Sequence, residues 1–479
     1  MKKFIESLQL RWSDLFLLLG FLPFTLFLIF GQVFMQSINP EMVPFSIWAA
    51  IPCFIVSLGM WGIYLYLEFK RGLIVKNYIT WIFVILAVVG VISIAIQPQL
   101  FSENVIVRMV NDGNKALYGE SIQVGDVINV NFVISPVHYG FFAMDIVLIL
   151  MFIYIGFFVF PRRFTSISFI KFLGYAVIAL CGVLILYSYI FEHAKYIPFI
   201  MNLIGKGAEG EDIYTYAMIS FIIHRNAYAM VLMIGIVFCF VNHSIERKWF
   251  YWPIVVFFLL NMIFTYCKTG LMITALIVMF YTIYYLITSY KEYPTRNRNI
   301  LIALGALVVL GLIVVSISYI SKGKVLGPIY SLITSVTESN TLDTRTYIWD
   351  NSYQLLRSNP AFVILGRGFG LFNLMLMPMN NVNGDNVFPS HSAYVGLLAE
   401  GGIIYLFAYL LFLGYSLYII IKSYKKAPNL TISLSLGVLA FVLYSFIETI
   451  HYLVYVFMFP MFILYCLNYP QEEEAQSNI

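Results

Sequence analysis

The chain has 479 residues, of which 61% are hydrophobic and 11% are charged, and its mean hydropathy is +0.87. Soluble domains carry about 25% charged residues, so this composition excludes a soluble fold and indicates a protein with many membrane-spanning helices. The net charge of +4 gives no reason to expect a nucleic-acid partner, and the five cysteines show neither metal-ligand spacing nor a disulfide framework.

Apolar runs long enough to cross a bilayer, roughly 20 residues each, recur along the whole chain. They predict an all-α polytopic membrane protein with about twelve transmembrane helices. The predicted spans are residues 14–35, 45–67, 77–96, 140–160, 170–190, 222–241, 250–267, 269–289, 299–320, 391–421, 430–447 and 452–468. The corresponding regions are the first three spans (1–96), an outer loop (97–139), spans four to nine (140–320), a large outer loop (321–390), spans ten to twelve (391–468) and a tail (469–479).

Basic residues fall in alternate loops, for example Arg162-Arg163, Arg247-Lys248 and Lys425-Lys426. Lys and Arg are enriched in cytoplasmic loops, so these loops and both termini are expected in the cytoplasm. The first apolar run, from Asp14 to Phe34, is of span length and has no small-residue cleavage site, so we expect a retained helix rather than a signal peptide.

Two of the predicted outer loops have structure of their own. In residues 97–139, the runs Val105–Val110 and Val124–Val133 flank an Asn-Asp-Gly turn signal and predict a β-hairpin. In residues 321–390, Asp343 or Thr344 is expected to cap a helix that runs to Ser358 and stops at Asn359-Pro360. This partly helical loop, between spans nine and ten, is expected to lie over the membrane mouth.

Arg225, Lys268 and His391 are each predicted at the outer end of a different span. Charge near lipid needs a partner, water or an anionic ligand, so the three residues suggest a site for a phosphorylated, lipid-borne substrate. Arg345, on the loop helix, could reach a phosphate. The alternative is structural: arginine and lysine snorkel at helix ends, Arg345 is solvated, and His391 caps or packs instead of serving as a general base.

Other polar residues have simpler explanations. Glu400 follows His391 by nine residues, which is half a turn out of phase on a straight helix, and it precedes a glycine pair that could break that helix. A buried carboxylate that satisfies a helix end explains it. Glu448 lies near a span end and is explained without function. The segment Gly366–Gly370 lacks dinucleotide-binding spacing and is expected to redirect the chain from the loop helix to the membrane.

Three segments of the chain carry a family resemblance. They are His224-Arg225-Asn226-Ala227-Tyr228, then Arg345-Thr346-Tyr347-Ile348-Trp349 with Gly366-Arg367-Gly368-Phe369-Gly370, then Ser390-His391-Ser392-Ala393-Tyr394 with Glu400-Gly401-Gly402-Ile403. In order and spacing they resemble the O-antigen ligase and polysaccharide polymerase superfamily, over roughly residues 210–425. The chain departs from the family pattern at Lys268, where the family often has arginine, and at Ser392, where it usually has asparagine.

The resemblance implies a glycosyltransferase of the bacterial plasma (inner) membrane that transfers a glycan from undecaprenyl diphosphate to an acceptor hydroxyl. We expect this protein to polymerise undecaprenyl-diphosphate-linked repeat units into surface polysaccharide. It implies that His391 is catalytic and that Arg225, Lys268 and Arg345 bind the diphosphate. The supporting residues would be Asn226, Tyr394 and Glu400. The expected partners are the lipid-linked glycan donor, a glycan or lipid-glycan acceptor, the bilayer and a chain-length regulator.

Transfer is expected to be inverting and to use no cofactor. No metal is expected either, since the chain has no Asp-x-Asp motif at the predicted outer face. The extended loop 97–139 favours a polymerase. One alternative is O-antigen ligase-type transfer to a different acceptor. Another is a transporter or flippase, although the chain has no evident internal repeat and its polar groups cluster at one surface. A third is a sensor or assembly scaffold without catalysis.

Overall fold

The computed structural model describes residues 11–36, 42–72, 78–164, 166–203, 213–220, 225–290, 292–295, 298–299, 313, 317, 341–383, 390–448 and 454–468. Most of these residues are helical. The helices are α1 (Trp12–Gln36), α2 (Met42–Lys70), α3 (Tyr78–Ala95), α4 (Asp112–Tyr118), α5 (Pro136–Tyr154), α6 (Ile167–Phe191), α7 (Tyr196–Leu203), α8 (Arg225–Glu246), α9 (Tyr251–Phe264), α10 (Lys268–Thr288), α11 (Thr341–Arg357), α12 (Pro360–Leu365), α13 (Leu371–Asn381), α14 (Ala393–Tyr424), α15 (Pro428–Ser445) and α16 (Val454–Cys466). The strands are β1 (Leu100–Ile106) and β2 (Val127–Val133).

Eight of the described helical segments are long and apolar enough to cross a membrane. They are Ala50–Lys70, Tyr78–Ala95, Pro136–Arg163, Ile167–Phe191, Arg225–Glu246, Lys268–Thr288, Ala393–Tyr424 and Pro428–Ser445. α1 and α9 have shorter apolar stretches, Trp12–Phe27 and Tyr251–Phe264. The expectation of a mostly helical protein with several helices able to cross a membrane is thus confirmed, with one two-stranded sheet beside them. The count of twelve and the orientation stay predictions, and the predicted span 299–320 lies almost wholly outside the described residues.

The central helix of the bundle is α8, which packs against α6, α9, α10, α15 and α16. Close approach depends on small residues: a Cβ added to Gly235 would lie 2.6 Å from Sγ of Cys181, and one added to Gly174 would lie 2.3 Å from Oδ1 of Asn242. Because α8 is surrounded by other helices, its first turn contacts protein rather than lipid.

The two ends of the bundle differ in character. At one end, ion pairs join the loops that are predicted to be cytoplasmic, including Arg163 with Asp14 at 2.8 Å and Lys171 with Glu246 at 3.2 Å. The opposite end carries the two strands and α11, and is called the hairpin end below. All of the candidate site residues lie toward this end.

The strands form an antiparallel pair, with Leu100 opposite Val133 and Ile106 opposite Val127. The first strand begins and ends earlier than the predicted run from Val105 to Val110. After Ile106, the backbone N–H groups of Arg108 and Met109 donate to Oδ1 of Asn383 and not to β2. Phe101 and Val105 point into the protein from one face of β1, at the alternating spacing that a half-buried strand requires.

The loop helix predicted between spans nine and ten is α11. Ile348 and Leu355 are buried on its predicted apolar face. The prediction of its N-cap was wrong, because the backbone is already helical at Thr341 and both Asp343 and Thr344 therefore lie inside the helix.

α14 is broken inside the bundle at Gly402, whose φ is +67°. The segment Gly366–Gly370 packs into this break: the backbone N–H of Arg367 donates to the carbonyl of Ala399 at 2.7 Å. A Cβ on Gly402 would lie 2.1 Å from the carbonyl oxygen of Ile364, so only glycine fits there. The glycine segment therefore fixes the loop helices to α14.

Candidate functional site

Arg225 and Asn226 are the first two described residues of α8, at the hairpin end. The hydroxyl of Tyr444, from the end of α15, donates to the backbone carbonyl of Asn226 at 3.3 Å. The side-chain amide of Asn226 donates to Oε1 of Glu448, which follows α15. Two elements separated by more than 200 residues in sequence are thereby joined at the start of α8.

Lys268 is the first residue of α10. Its neighbour Cys267 caps the helix, since Sγ accepts a hydrogen bond from the N–H of Gly270 at 3.3 Å. The same sulfur lies 3.1 Å from the hydroxyl of Tyr444. Lys268 is close enough to Arg225 for their positive charges to repel. The starts of α8 and α10 are therefore adjacent, and they bring two cations together.

His391 lies between α13 and α14 with its backbone at φ +49°, a left-handed conformation that is uncommon outside glycine. The flanking residue Ser390 accepts a hydrogen bond at its carbonyl from Nε1 of Trp349, at 2.9 Å. The hydroxyl of Ser390 donates to the carbonyl of Ser392 at 2.9 Å. The loop helix α11 thus holds the backbone that presents His391.

Glu448 connects these parts. Its Oε2 lies 3.7 Å from Nδ1 of His391, while its Oε1 accepts the hydrogen bond from Asn226. The His391 side chain is 23% exposed and that of Glu448 is 11% exposed, so the pair is largely shielded from water but retains an opening. The carboxylate thus faces the Nδ1 side of the imidazole, at a distance longer than a normal hydrogen bond.

Arg345 approaches the same place from α11. Burial lowers the pKa of its guanidinium, while the negative charges of Glu448, Cys267 and Tyr444 in their ionised forms act in the opposite direction. It makes no hydrogen bond or ion pair with any described residue. Arg345 and His391 thus lie within electrostatic reach of Glu448, while Arg225 and Lys268 lie together at the adjacent starts of α8 and α10.

Of the three residues expected to support the site, Asn226 and Tyr394 lie beside it. Tyr394 packs its ring on Phe446, two residues before Glu448, with centroids 4.5 Å apart. Glu400 is placed elsewhere. It is buried at the break in α14, where Nδ2 of Asn373 donates to its Oε1 at 2.8 Å and Ser93 donates to its backbone carbonyl at 3.2 Å. Its contacts are those of a structural residue, as its half-turn offset from His391 indicated.

Sequence reasoning missed Glu448. A single carboxylate at a span end has no local pattern that marks it, and its partners Asn226 and His391 are far away in sequence. A usable signal existed in its position at the end of an apolar run, since ionised groups near the membrane are costly unless paired.

Within the ranges that the structure describes, no group of three His, Cys, Asp or Glu side chains is arranged to hold a metal ion. The described residues around His391 therefore do not form the set of histidine or carboxylate ligands that a divalent cation needs. Metal independence stays a prediction for the reaction.

The comparison with known families agrees with this geometry. A family model described as O-antigen ligase matches residues 253–410, about a third of the chain. The matched segment begins in α9, ends in α14 and contains Lys268, Arg345 and His391, while Arg225 and Glu448 flank it. No curated protein matches the chain. Residues 253–410 are thus similar to the O-antigen ligase family, which confirms the family resemblance read from the motifs.

Proposed function

We propose that the protein is a glycosyltransferase that polymerises undecaprenyl-diphosphate-linked oligosaccharide repeat units at the outer face of the bacterial plasma membrane. One observation carries the proposal: Glu448 joins Asn226 to His391 within the electrostatic reach of Arg345, beside the adjacent cations Arg225 and Lys268. The similarity to the O-antigen ligase family supports the reaction class.

The charges suit a lipid diphosphate. Three cations, Arg225, Lys268 and Arg345, lie at this end of the bundle, with Arg345 within electrostatic reach of the Glu448 carboxylate and Arg225 close to Lys268. A diphosphate leaving group gains negative charge as the anomeric bond breaks, and fixed cations stabilise that charge more in the transition state than in the ground state. Arg225 and Arg345 can each bind two phosphate oxygens, whereas Lys268 supplies a point charge.

His391 is the proposed general base. Nε2 takes the proton from the attacking acceptor hydroxyl while Nδ1 faces Glu448, whose negative charge stabilises the imidazolium that forms. The acceptor oxygen forms a bond to the anomeric carbon as the bond from that carbon to the diphosphate oxygen breaks. Undecaprenyl diphosphate leaves with the bonding electrons. Direct displacement inverts the anomeric configuration, and the protein's own side chains supply each of these functions.

The length of the segment between α3 and α5, which folds as a hairpin and α4 against the loop helix, favours a polymerase over a ligase. A polymerase must accommodate two lipid-linked glycans, and this segment adds surface beside the site. The test is incubation of the purified protein with an undecaprenyl-diphosphate-linked repeat unit. A ladder of products is expected. Transfer only to a different acceptor would indicate a ligase, and the absence of any glycosidic product would favour a transporter or scaffold.

A further inference from the structure

A polar cleft of about 500 Å³ lies between the hairpin and α11, apart from the cluster around Glu448. The residues that line it come from both sides. They include Glu103, Arg108, Asp350, Tyr353, Gln354 and Arg357. None of these six residues has an aliphatic side chain, so the cleft is suited to a hydrated, hydroxyl-rich ligand rather than to a prenyl chain.

Side-chain bonds hold the walls of the cleft in position. The amide of Gln354 donates to the backbone carbonyl of Asn104 at 2.7 Å, and Arg108 forms an ion pair with Asp350. At the base of the hairpin wall, the buried guanidinium of Arg367 lies 3.6 Å from Oε1 of Glu103. A cleft that is fixed before the ligand arrives loses less conformational entropy on binding.

Arg367 ties the cleft to the rest of the loop. Its Nε donates to the carbonyl of Leu355 at 2.8 Å, and its guanidinium lies over the ring of Phe362, 3.9 Å from the centroid. Burial lowers the pKa of Arg367 to about 10, and the Glu103 carboxylate opposes that shift. Arg367 therefore stays charged at neutral pH and serves as the structural link between β1, α11 and α12.

The groups that face the opening match the chemistry of a glycan. Tyr353 is 38% exposed, so its ring offers a flat apolar face together with a hydroxyl. Arg357 is exposed and forms no hydrogen bond or ion pair with the described residues. Asp350 and Gln354 accept hydrogen bonds, while Arg108, Arg357 and Gln354 donate them. Sugar hydroxyls both donate and accept, so they can satisfy such a mixed lining.

The cleft is placed to receive a glycan whose other end is in the candidate active site. Arg345 and Arg357 lie twelve residues apart on α11, which is about 18 Å along a helix. Arg345 is in the cluster around Glu448, and Arg357 is in the cleft. A chain of a few sugar residues that follows α11 would therefore link the two.

We infer that the cleft between the hairpin and α11 binds the glycan chain at a distance from its diphosphate end. The inference rests on the proposed function for the identity of the glycan, but the binding itself needs no turnover. The cleft holds the chain beside the site between transfer events, so its loss shortens the products before it abolishes transfer.

The test uses the full-length protein in detergent and two variants, Tyr353→Ala and Arg357→Ala. Tyr118→Ala is a matched control, because Tyr118 is also 38% exposed but lies on α4 and does not line the cleft. Lys115→Ala is the control for loss of a cation, because Lys115 is a partly exposed residue of α4 that does not line the cleft. Saturation-transfer NMR measures binding of a delipidated repeat-unit oligosaccharide, and gel analysis measures product length.

The inference predicts at least tenfold weaker oligosaccharide binding and shorter products for both cleft variants, with neither change in the controls. Equal binding by wild type and both cleft variants, or shortening that is as great in the controls, would overturn it. If wild type forms no product but the cleft variants lose oligosaccharide binding, the proposed function fails while the cleft assignment stands.

Discussion

Glu448 bridges two residues that the sequence places far apart: its carboxylate accepts a hydrogen bond from Asn226 through one oxygen and lies 3.7 Å from Nδ1 of His391 through the other. The bridge orders the imidazole and the start of α8 around a common negative charge.

Two substitutions of Glu448 distinguish the effect of its charge from the effect of its hydrogen bond. Glu448→Gln keeps an oxygen that accepts from Asn226 but removes the charge that faces His391, so kcat is expected to fall roughly 10-fold to 100-fold with little change in KM for the lipid donor. Glu448→Ala also leaves the half-buried amide of Asn226 without this acceptor, which costs up to about 1–3 kcal/mol of folding free energy.

Steady-state kinetics and thermal unfolding of the two Glu448 variants check this. Glu192→Gln is the control, because the Glu192 carboxylate is bonded to Ser188, Lys195 and Ser220. It should lose stability with kcat per folded molecule unchanged. A kcat for Glu448→Gln equal to that of wild type would remove Glu448 from the mechanism.

The three cations should affect donor binding. Arg225→Ala and Lys268→Ala are each expected to weaken binding of undecaprenyl diphosphate at least tenfold, since they lose charge-assisted hydrogen bonds to phosphate. Lys268→Arg should retain binding, because the family often has arginine at this position. The Arg225→Ala/Lys268→Ala double variant is expected to lose less binding free energy than the sum of the two single losses, because the two residues share one ligand.

Titration of the purified variants with undecaprenyl diphosphate, followed by ligand-induced thermal shift, measures these changes. Arg247→Ala is the control, since Arg247 is an exposed cation at the opposite end of the bundle. A loss of affinity as large for Arg247→Ala as for Arg225→Ala would show that the effect is not local.

Arg345→Ala should weaken donor binding without loss of stability. Burial lowers the pKa of Arg345, which means that the folded protein disfavours its charged form. Removing the cation therefore relieves a desolvation penalty in the empty protein and leaves Tm equal or higher. A clear drop in Tm with unchanged donor affinity would identify Arg345 as a structural residue instead.

The break in α14 should be intolerant of a side chain. Gly402→Ala places a Cβ against the carbonyl of Ile364 at a positive φ, so a destabilisation of more than about 2 kcal/mol is expected. Gly414→Ala on the same helix is the matched control, because a Cβ there meets nothing within 4 Å. It should be neutral or stabilising by up to about 1 kcal/mol. Thermal unfolding in one detergent compares the pair, and equal Tm values would contradict this account of the break.

Sequence patterns predicted the features that depend on local order. Apolar runs located the spans that end near Arg225, Lys268 and His391, and alternating valines indicated strands between α3 and α5. The glycine pair after Glu400 marked a helix break. Each of these signals is contained within some twenty residues, because helix and strand periodicity are local properties.

Contacts between distant segments could not be read in this way. The side chains of Asn226 and Glu448 meet because α8 packs on α15, and no property of either segment alone encodes that neighbour. The N-cap of α11 was also misplaced, because the backbone is already helical at Thr341, before the capping residues that the sequence offers. Lateral convergence of the site therefore required the structure.

The most direct test of the central claim is the initial rate at which His391→Ala releases undecaprenyl diphosphate from a lipid-linked repeat unit. His193→Ala is the matched control, since His193 is exposed after α6 and lies outside the cluster around Glu448. The account predicts a fall of at least about 100-fold for His391→Ala, because a general base contributes this much or more, and a wild-type rate for His193→Ala. A folded His391→Ala protein that releases undecaprenyl diphosphate at the wild-type rate would contradict it.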